Sequence, residues 1–177
     1  ELGLENTFKN YGLEPQRDFI MQYSVKDSAY QTKRPDALVF LPADNVLVVD
    51  SKASKFFLEL AEAEGTEHEK QITEKLLQRM QQHVKELASK GYRDAVEDMY
   101  KQADKKGKAG HILTVMFIHS EAYVEKLCKL DPQFRHKCSK ENIILSGPVG
   151  LAGLLSISRY SIAIERQERH NEEILSD

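Results

Sequence analysis

Apolar residues recur along this chain at two spacings, and the switches between them lay out its elements. Leu4, Phe8 and Tyr11 fall three and four apart with Gly12 as a stop, which predicts a helix over residues 1–12. FIMQYSV (19–25) is rich in strand formers. After a polar loop from Lys26 to Arg34, Pro35 pushes Arg34 toward an extended conformation, and ALVFL (37–41) predicts a second strand that Pro42 ends. Ala-Asp-Asn then leads directly into VLVVD (46–50), so these two strands are expected to pair as a hairpin. Helical spacing follows in FFLELAEA (56–63), closed by Gly65. It returns in a longer amphipathic helix whose face carries Ile72, Leu76, Met80, Val84 and Leu87. Gly91 breaks that helix, and residues 92–102 resume it. Beyond the polar loop DKKGKAG, HILTVMFIH (111–119) predicts a buried strand and residues 121–130 a helix. Asp131-Pro132 starts a short helix, NIILS (142–146) is a last strand, and Pro148 opens a C-terminal helix. The expected class is α/β, a mixed central sheet flanked by helices in one domain of residues 1–177, with a helical insertion at about 54–103.

Composition narrows this picture only slightly. The 177 residues suffice for a sizeable core, and 41% hydrophobic with 30% charged residues excludes a disordered tail. No apolar run reaches the ~18 residues of a membrane helix, and no signal peptide is present, so no membrane contact is expected from this stretch. The chain opens without Met inside a periodic pattern and is read as a fragment of something longer. A net charge of −3 means that any nucleic-acid contact must come from a local patch. Cys128 and Cys138 read as two free thiols in a reducing cytoplasm, since their neighbourhood with His136 lacks a second ligand pair at zinc spacing.

Charge inside the apolar strands does change the picture. Asp36 opens one strand, while Asp50 and Lys52 close the next, pointing to one face with Ser51 opposite. A hairpin turning at 43–45 brings position 36 opposite roughly 50–52, so two carboxylates and an ammonium are expected at one end of it. Carboxylate oxygens suit Mg²⁺, which keeps waters for a substrate, and a lysine beside it can orient an attacking water. The bland account of Asp-x-Lys at a strand end is a surface ion pair worth little.

The pattern Pro35-Asp36 followed by Asp50-Ser51-Lys52 resembles the PD-(D/E)xK nuclease superfamily. Within it, RPDALVFLP and VLVVDSKAS resemble the RmuC family of DNA recombination proteins, as do HVKELASKGY (83–92), TVMFIHSEAYV (114–124) and ENIILSGPVGLAGLL (141–155). The resemblance covers nearly the whole chain in order. It implies a restriction-endonuclease-like core and a metal-dependent DNA nuclease acting in recombination or rearrangement. Asp36 and Asp50 would then be ligands of Mg²⁺ or Mn²⁺, and Lys52 the catalytic lysine. The family's acid in the preceding helix falls on Glu1, with Glu5 as the alternative one turn on, and its later glutamate on Glu121. Two departures stand out: His119-Ser120 replaces the family's proline before that glutamate, and its tryptophan in the last helix is absent, with Ile162 near that position. The family's usual N-terminal membrane anchor and coiled coil are not in this stretch.

The remaining candidates have weaker chemistry behind them. Glu121 either orients a ligand or stabilises a helix dipole. Lys33 and Arg34 border the site and are the basic residues most readily placed on DNA, followed by His83, Lys90 and Tyr92. Lys85 lies on the same helix, whose Glu67, Glu69, Glu74 and Glu86 make a solvated face its default. DNA is thus the expected partner, with no small-molecule cofactor. The rival expectations are a non-catalytic DNA-binding or scaffolding module that keeps the fold, and an oligomerisation domain built on the long helix.

Overall fold

The computed structural model describes residues 2–22 and 34–176. They form α1 (Leu2–Asn10), β1 (Phe19–Met21), β2 (Ala37–Phe40), β3 (Val46–Ser51), α2 (Phe56–Ala63) and α3 (Glu69–Ser89). Then come α4 (Arg93–Gln102), β4 (Ile112–Phe117), α5 (Glu121–Leu130), α6 (Phe134–Lys140), β5 (Ile143–Ser146) and α7 (Pro148–Ser176). The predicted order is present; the part of the first predicted strand beyond Gln22 lies outside the described residues.

The five strands make one mixed sheet in the order β1-β2-β3-β4-β5. β1, β2 and β3 pair antiparallel, and β4 pairs β5 in parallel. The bonds from Val46 N to His111 O and from Lys52 N to Phe117 O advance along β3 and β4 in the same direction, as parallel neighbours do. All of β2 and the first five residues of β3 are buried. A strand covered on both faces has no solvent side, so its sequence is continuously apolar instead of alternating.

The chain divides into two compact units. One comprises residues 1–49, 92–113 and 150–177, the other residues 50–91 and 114–149. α2 and α3 lie in the second unit and α4 in the first.

In the first unit Phe8 of α1 meets Phe19 of β1 at 4.9 Å between ring centres, and Phe40 meets Tyr100 edge-on at 5.8 Å. The hairpin turn carries Ala43 and Asp44 at φ +57° and +58°, a conformation unfavourable to residues with a Cβ. It is held by the Tyr100 hydroxyl, which donates to Asp44 Oδ1 at 2.5 Å, and by Gly110 N, which donates to the Asp44 carbonyl at 2.6 Å. Burial, followed by this bond to Asp44, pushes the Tyr100 phenol up to about 12. A Cβ at position 110 would lie 2.9 Å from Asn45 Oδ1 and 3.3 Å from the Ala43 carbonyl, so any larger residue would have to displace the Asn45 side chain.

The second unit packs α2, α3, α5 and α6 around Leu60, Leu76, Met80, Leu127 and Phe134, each at most 2% exposed. Phe57 and Tyr123 stack with ring centres 4.5 Å apart. The buried face of α3 is the predicted one from Leu76 onward, with His83 added to it.

Candidate functional site

Asp50 stands next to last in β3 and is only 4% exposed. A carboxylate so placed needs compensation, because stripping water from an unpaired charge costs several kcal/mol. It receives two ammonium groups. Lys52 Nζ lies 2.6 Å from Oδ1 and Lys90 Nζ 3.3 Å from Oδ2. Lys52 reaches the same face by strand alternation, and its own backbone N–H is fixed on the Phe117 carbonyl at 2.8 Å. Lys90 arrives from the C-terminal cap of α3, where its N–H bonds the Glu86 carbonyl. The two lysines differ in access: the Lys52 side chain is 14% exposed and that of Lys90 29%.

His83 braces this corner. It is 4% exposed, and its Nε2 lies 3.3 Å from the Ala53 carbonyl, one residue beyond Lys52. Burial, reinforced by the charge of Arg79, holds its pKa below the usual imidazole value. The neutral ring therefore donates from Nε2 to that carbonyl, while Nδ1 lies 3.5 Å from Glu86 Oε2. His83 thus ties α3 to the exit of β3.

Asp36 directly precedes β2, is half-buried, and its carbonyl accepts from Gln22 N at 2.9 Å. The last pair of the β2–β3 ladder is Ala37 with Val49. Asp36 belongs to the first unit and Asp50 to the second. Glu5 pairs with Lys9 on α1 at 2.9 Å. Glu1 and Lys33 lie outside the described residues. Among the described residues no group of three or more His, Cys, Asp or Glu side chains is assembled to hold a metal ion. Burial pushes the Cys138 thiol up to about 11, so it is a neutral thiol at neutral pH.

Two further DNA candidates are buried. The Arg34 side chain is 1% exposed and bonds Asp98 at 2.9 Å. Tyr92 is 5% exposed at the N-terminal cap of α4.

Glu121 also has a defined task. Its Oε2 accepts from Val149 N at 3.1 Å, in the first turn of α7. Its own helix is capped separately by Ser120, whose side chain accepts from Tyr123 N. A carboxylate on free N–H groups at the positive end of α7 is a helix cap supplied by a neighbouring helix. Gly147 leaves the space, since a Cβ there would fall on that carboxylate. Replacing Glu121 by Ala is expected to cost about 1 kcal/mol of stability. Urea unfolding checks this, with any DNA-directed activity unchanged per folded molecule.

A buried strand that ends in an acid gripped by two lysines, within a mixed sheet among helices, defines an α/β protein with a charged site at a strand end. The chain belongs to the RmuC family, whose model matches residues 1–177. Proteins named DNA recombination protein RmuC homolog are similar to it in Rickettsia felis and Rickettsia prowazekii, each 36% identical over 178 residues. These matches cover 100% of this chain and 39% of each relative. A protein of the same name in Pseudomonas aeruginosa is 27% identical over 173 residues, covering 97% of this chain and 35% of that relative. The chain thus spans about two fifths of the curated relatives' length. No solved structure matches it. Among the described residues no helix is long and apolar enough to cross a membrane.

Proposed function

We propose that this chain carries a DNA nuclease site of the PD-(D/E)xK kind, formed by Asp36, Asp50 and Lys52. The observation that carries the reading is Asp50 itself: a buried acid at the end of a strand, kept beside a lysine two residues on at 2.6 Å. An ion pair that served stability alone would be replaced by apolar residues at little cost, so its retention inside a strand favours a chemical use. Asp36 is included on the resemblance of Pro35-Asp36 to the superfamily's pattern. DNA as partner is supported by the name of the relatives, DNA recombination protein.

The donor chemistry fits a hard divalent ion. Mg²⁺ is commonly held by one or two carboxylates plus water and phosphate, so two aspartates suffice without a third protein ligand. Bound by Asp36 and Asp50, Mg²⁺ or Mn²⁺ would polarise the scissile phosphate and lower the pKa of a water. Lys90, the more exposed lysine, is the one able to yield its carboxylate oxygen and swing to solvent. Lys52 stays, fixed by its backbone bond to Phe117, and its ammonium is placed to orient the attacking water or a phosphate oxygen.

A second reading is a DNA-binding scaffold without turnover. It is favoured by the same carboxylate, whose two oxygens are both already met by ammonium groups. Cleavage of a fluorogenic oligodeoxynucleotide with Mn²⁺ separates the two. The nuclease reading expects cleavage by the wild type and at least about a hundredfold loss in Asp50→Asn, in line with the removal of a group acting directly on the reaction. Equal cleavage by both removes the site assignment. DNA binding with no cleavage by the wild type establishes the scaffold.

A further inference from the structure

The helix pair of the second unit carries a groove of about 620 Å³ that none of the site residues enters. Three cations line it from α3: Lys75, Arg79 and Lys85. Lys75 and Arg79 stand one helical turn apart on one face, Lys85 flanks them further along the helix, and all three are exposed. None of the described residues lining the groove is acidic, in a chain whose net charge is −3. The acids of the same region are sorted elsewhere: Glu67, Glu69 and Glu74 line a separate hollow at the start of α3. Glu86 lies 3.7 Å from Arg79 and accepts from Gln82 at 3.2 Å. The solvated face expected of this helix from its composition is thus divided into an acidic end and a cationic groove.

Two further features narrow the ligand. Gln78, Gln81 and Gln82 supply amides, each able to donate and accept at once. Phe56, from the first turn of α2, gives the groove a half-exposed aromatic ring with Lys55 Nζ 5.4 Å from its centre. Cations that follow phosphates, an aromatic ring on which a base can stack, and amides for base edges are together the recognition set of single-stranded nucleic acid. A duplex offers the phosphates but hides its base faces. A second hollow of about 230 Å³ between α3 and α6 shares Gln81 and Lys85 with the groove and adds Glu141 and Lys137, the latter paired with Asp131 at 2.6 Å.

We infer that the α2–α3 groove binds single-stranded DNA, with Lys75, Arg79 and Lys85 on successive phosphates and Phe56 stacked on a base. This deepens the proposed function by giving the substrate strand a path, and rests on DNA as partner but not on cleavage. The test is fluorescence anisotropy of a labelled twelve-residue oligodeoxythymidylate with the whole chain in EDTA, where no metal-dependent step takes place. The triple variant K75A/R79A/K85A is expected to bind at least tenfold more weakly. The slope of log Kd against log salt should flatten by about two, as each released phosphate contact on a single strand contributes about 0.7. Phe56→Leu, which keeps an apolar side chain for packing, should weaken binding severalfold with the slope unchanged. A duplex of the same length should bind more weakly than the single strand.

Wild-type binding that none of these variants alters overturns the inference, as does a preference for duplex or an absence of binding. Tighter binding of the matching ribo-oligonucleotide redirects the groove to RNA and overturns the assignment to DNA. The nuclease reading fails on a different result, unaltered cleavage by Asp50→Asn, so the two failures are distinguishable. Circular dichroism of each variant confirms that its helices are formed.

Discussion

Replacing Lys52 by Met is expected to lower Mn²⁺-dependent DNA cleavage by about 10²- to 10⁴-fold, the range a positioned proton-handling group contributes. Methionine keeps the length and apolar stem of lysine, so the loss reports the ammonium and not a cavity. The buried Asp50 then retains Lys90 at 3.3 Å, which limits the structural cost of losing the partner at 2.6 Å. For that reason the protein is expected to stay folded, and the damage to fall on kcat with KM nearly unchanged. Lys52→Arg is not expected to rescue. The site is 14% open, and a planar guanidinium cannot take the place of a compact ammonium beside a fixed carboxylate. Single-turnover cleavage, with Mn²⁺ affinity measured separately by electron paramagnetic resonance, checks both points. A fall of less than threefold in the single-turnover rate ends the role assigned to Lys52.

Much of this arrangement was legible in the chain because it is local. Strand alternation puts Asp50 and Lys52 on one face, and the short segment 43–45 forces β2 and β3 into a hairpin. The elements followed from spacing, since α2, α5 and the start of α7 lie where the apolar periodicity and Pro148 placed them. Lys90 as the second partner of Asp50 was not legible. Forty residues separate the two, and only the packing of α3 on its unit brings the end of that helix to the end of β3. The burial of Arg34 and Tyr92 was not legible for a related reason. A cation or phenol looks solvent-facing in sequence, yet Arg34 buries its charge on Asp98 and Tyr92 lies inside the cap of α4. The same holds for Glu121, whose partner is the N–H of Val149 on a later helix. Acids that serve chemistry and acids that serve capping are identical as letters, and partners alone tell them apart.

Asp18 makes that point with the greatest consequence for stability. No motif marks it, yet it is 3% exposed and holds the first unit together at the start of β1. Arg166 of α7 donates to its Oδ1 at 2.7 Å, Arg17 donates to its Oδ2 at 2.9 Å, and Glu14 N donates to the same Oδ2 at 2.9 Å. Its backbone bonds Glu14 O and Phe40 N, so the residue joins the α1–β1 loop to β2 as well. Asp18→Asn removes the charge and turns one acceptor into a donor facing those groups. Breaking a buried pair from one side typically costs about 3–5 kcal/mol. Here Arg17 and Arg166 are 45% and 49% exposed and can rehydrate, so the expected loss is about 2–3 kcal/mol. That corresponds to a fall of roughly 5–10 °C in Tm for a chain of this size.

The pH dependence fixes the cause of this loss. Burial alone would raise the Asp18 carboxyl, but the hydrogen bonds from Arg17 and Glu14 N, with the two guanidinium charges, outweigh it and hold the group below the usual carboxylate range. A folded pKa below the unfolded value of about 3.9 means that the contribution is complete above about pH 4 and fades as pH falls through the folded value. Urea unfolding of wild type and Asp18→Asn should therefore differ fully at pH 7 and converge on acidification below pH 4. Equal stability at pH 7, or a gap that widens in acid, would mean that α7 is anchored to the first unit by packing and not by this carboxylate.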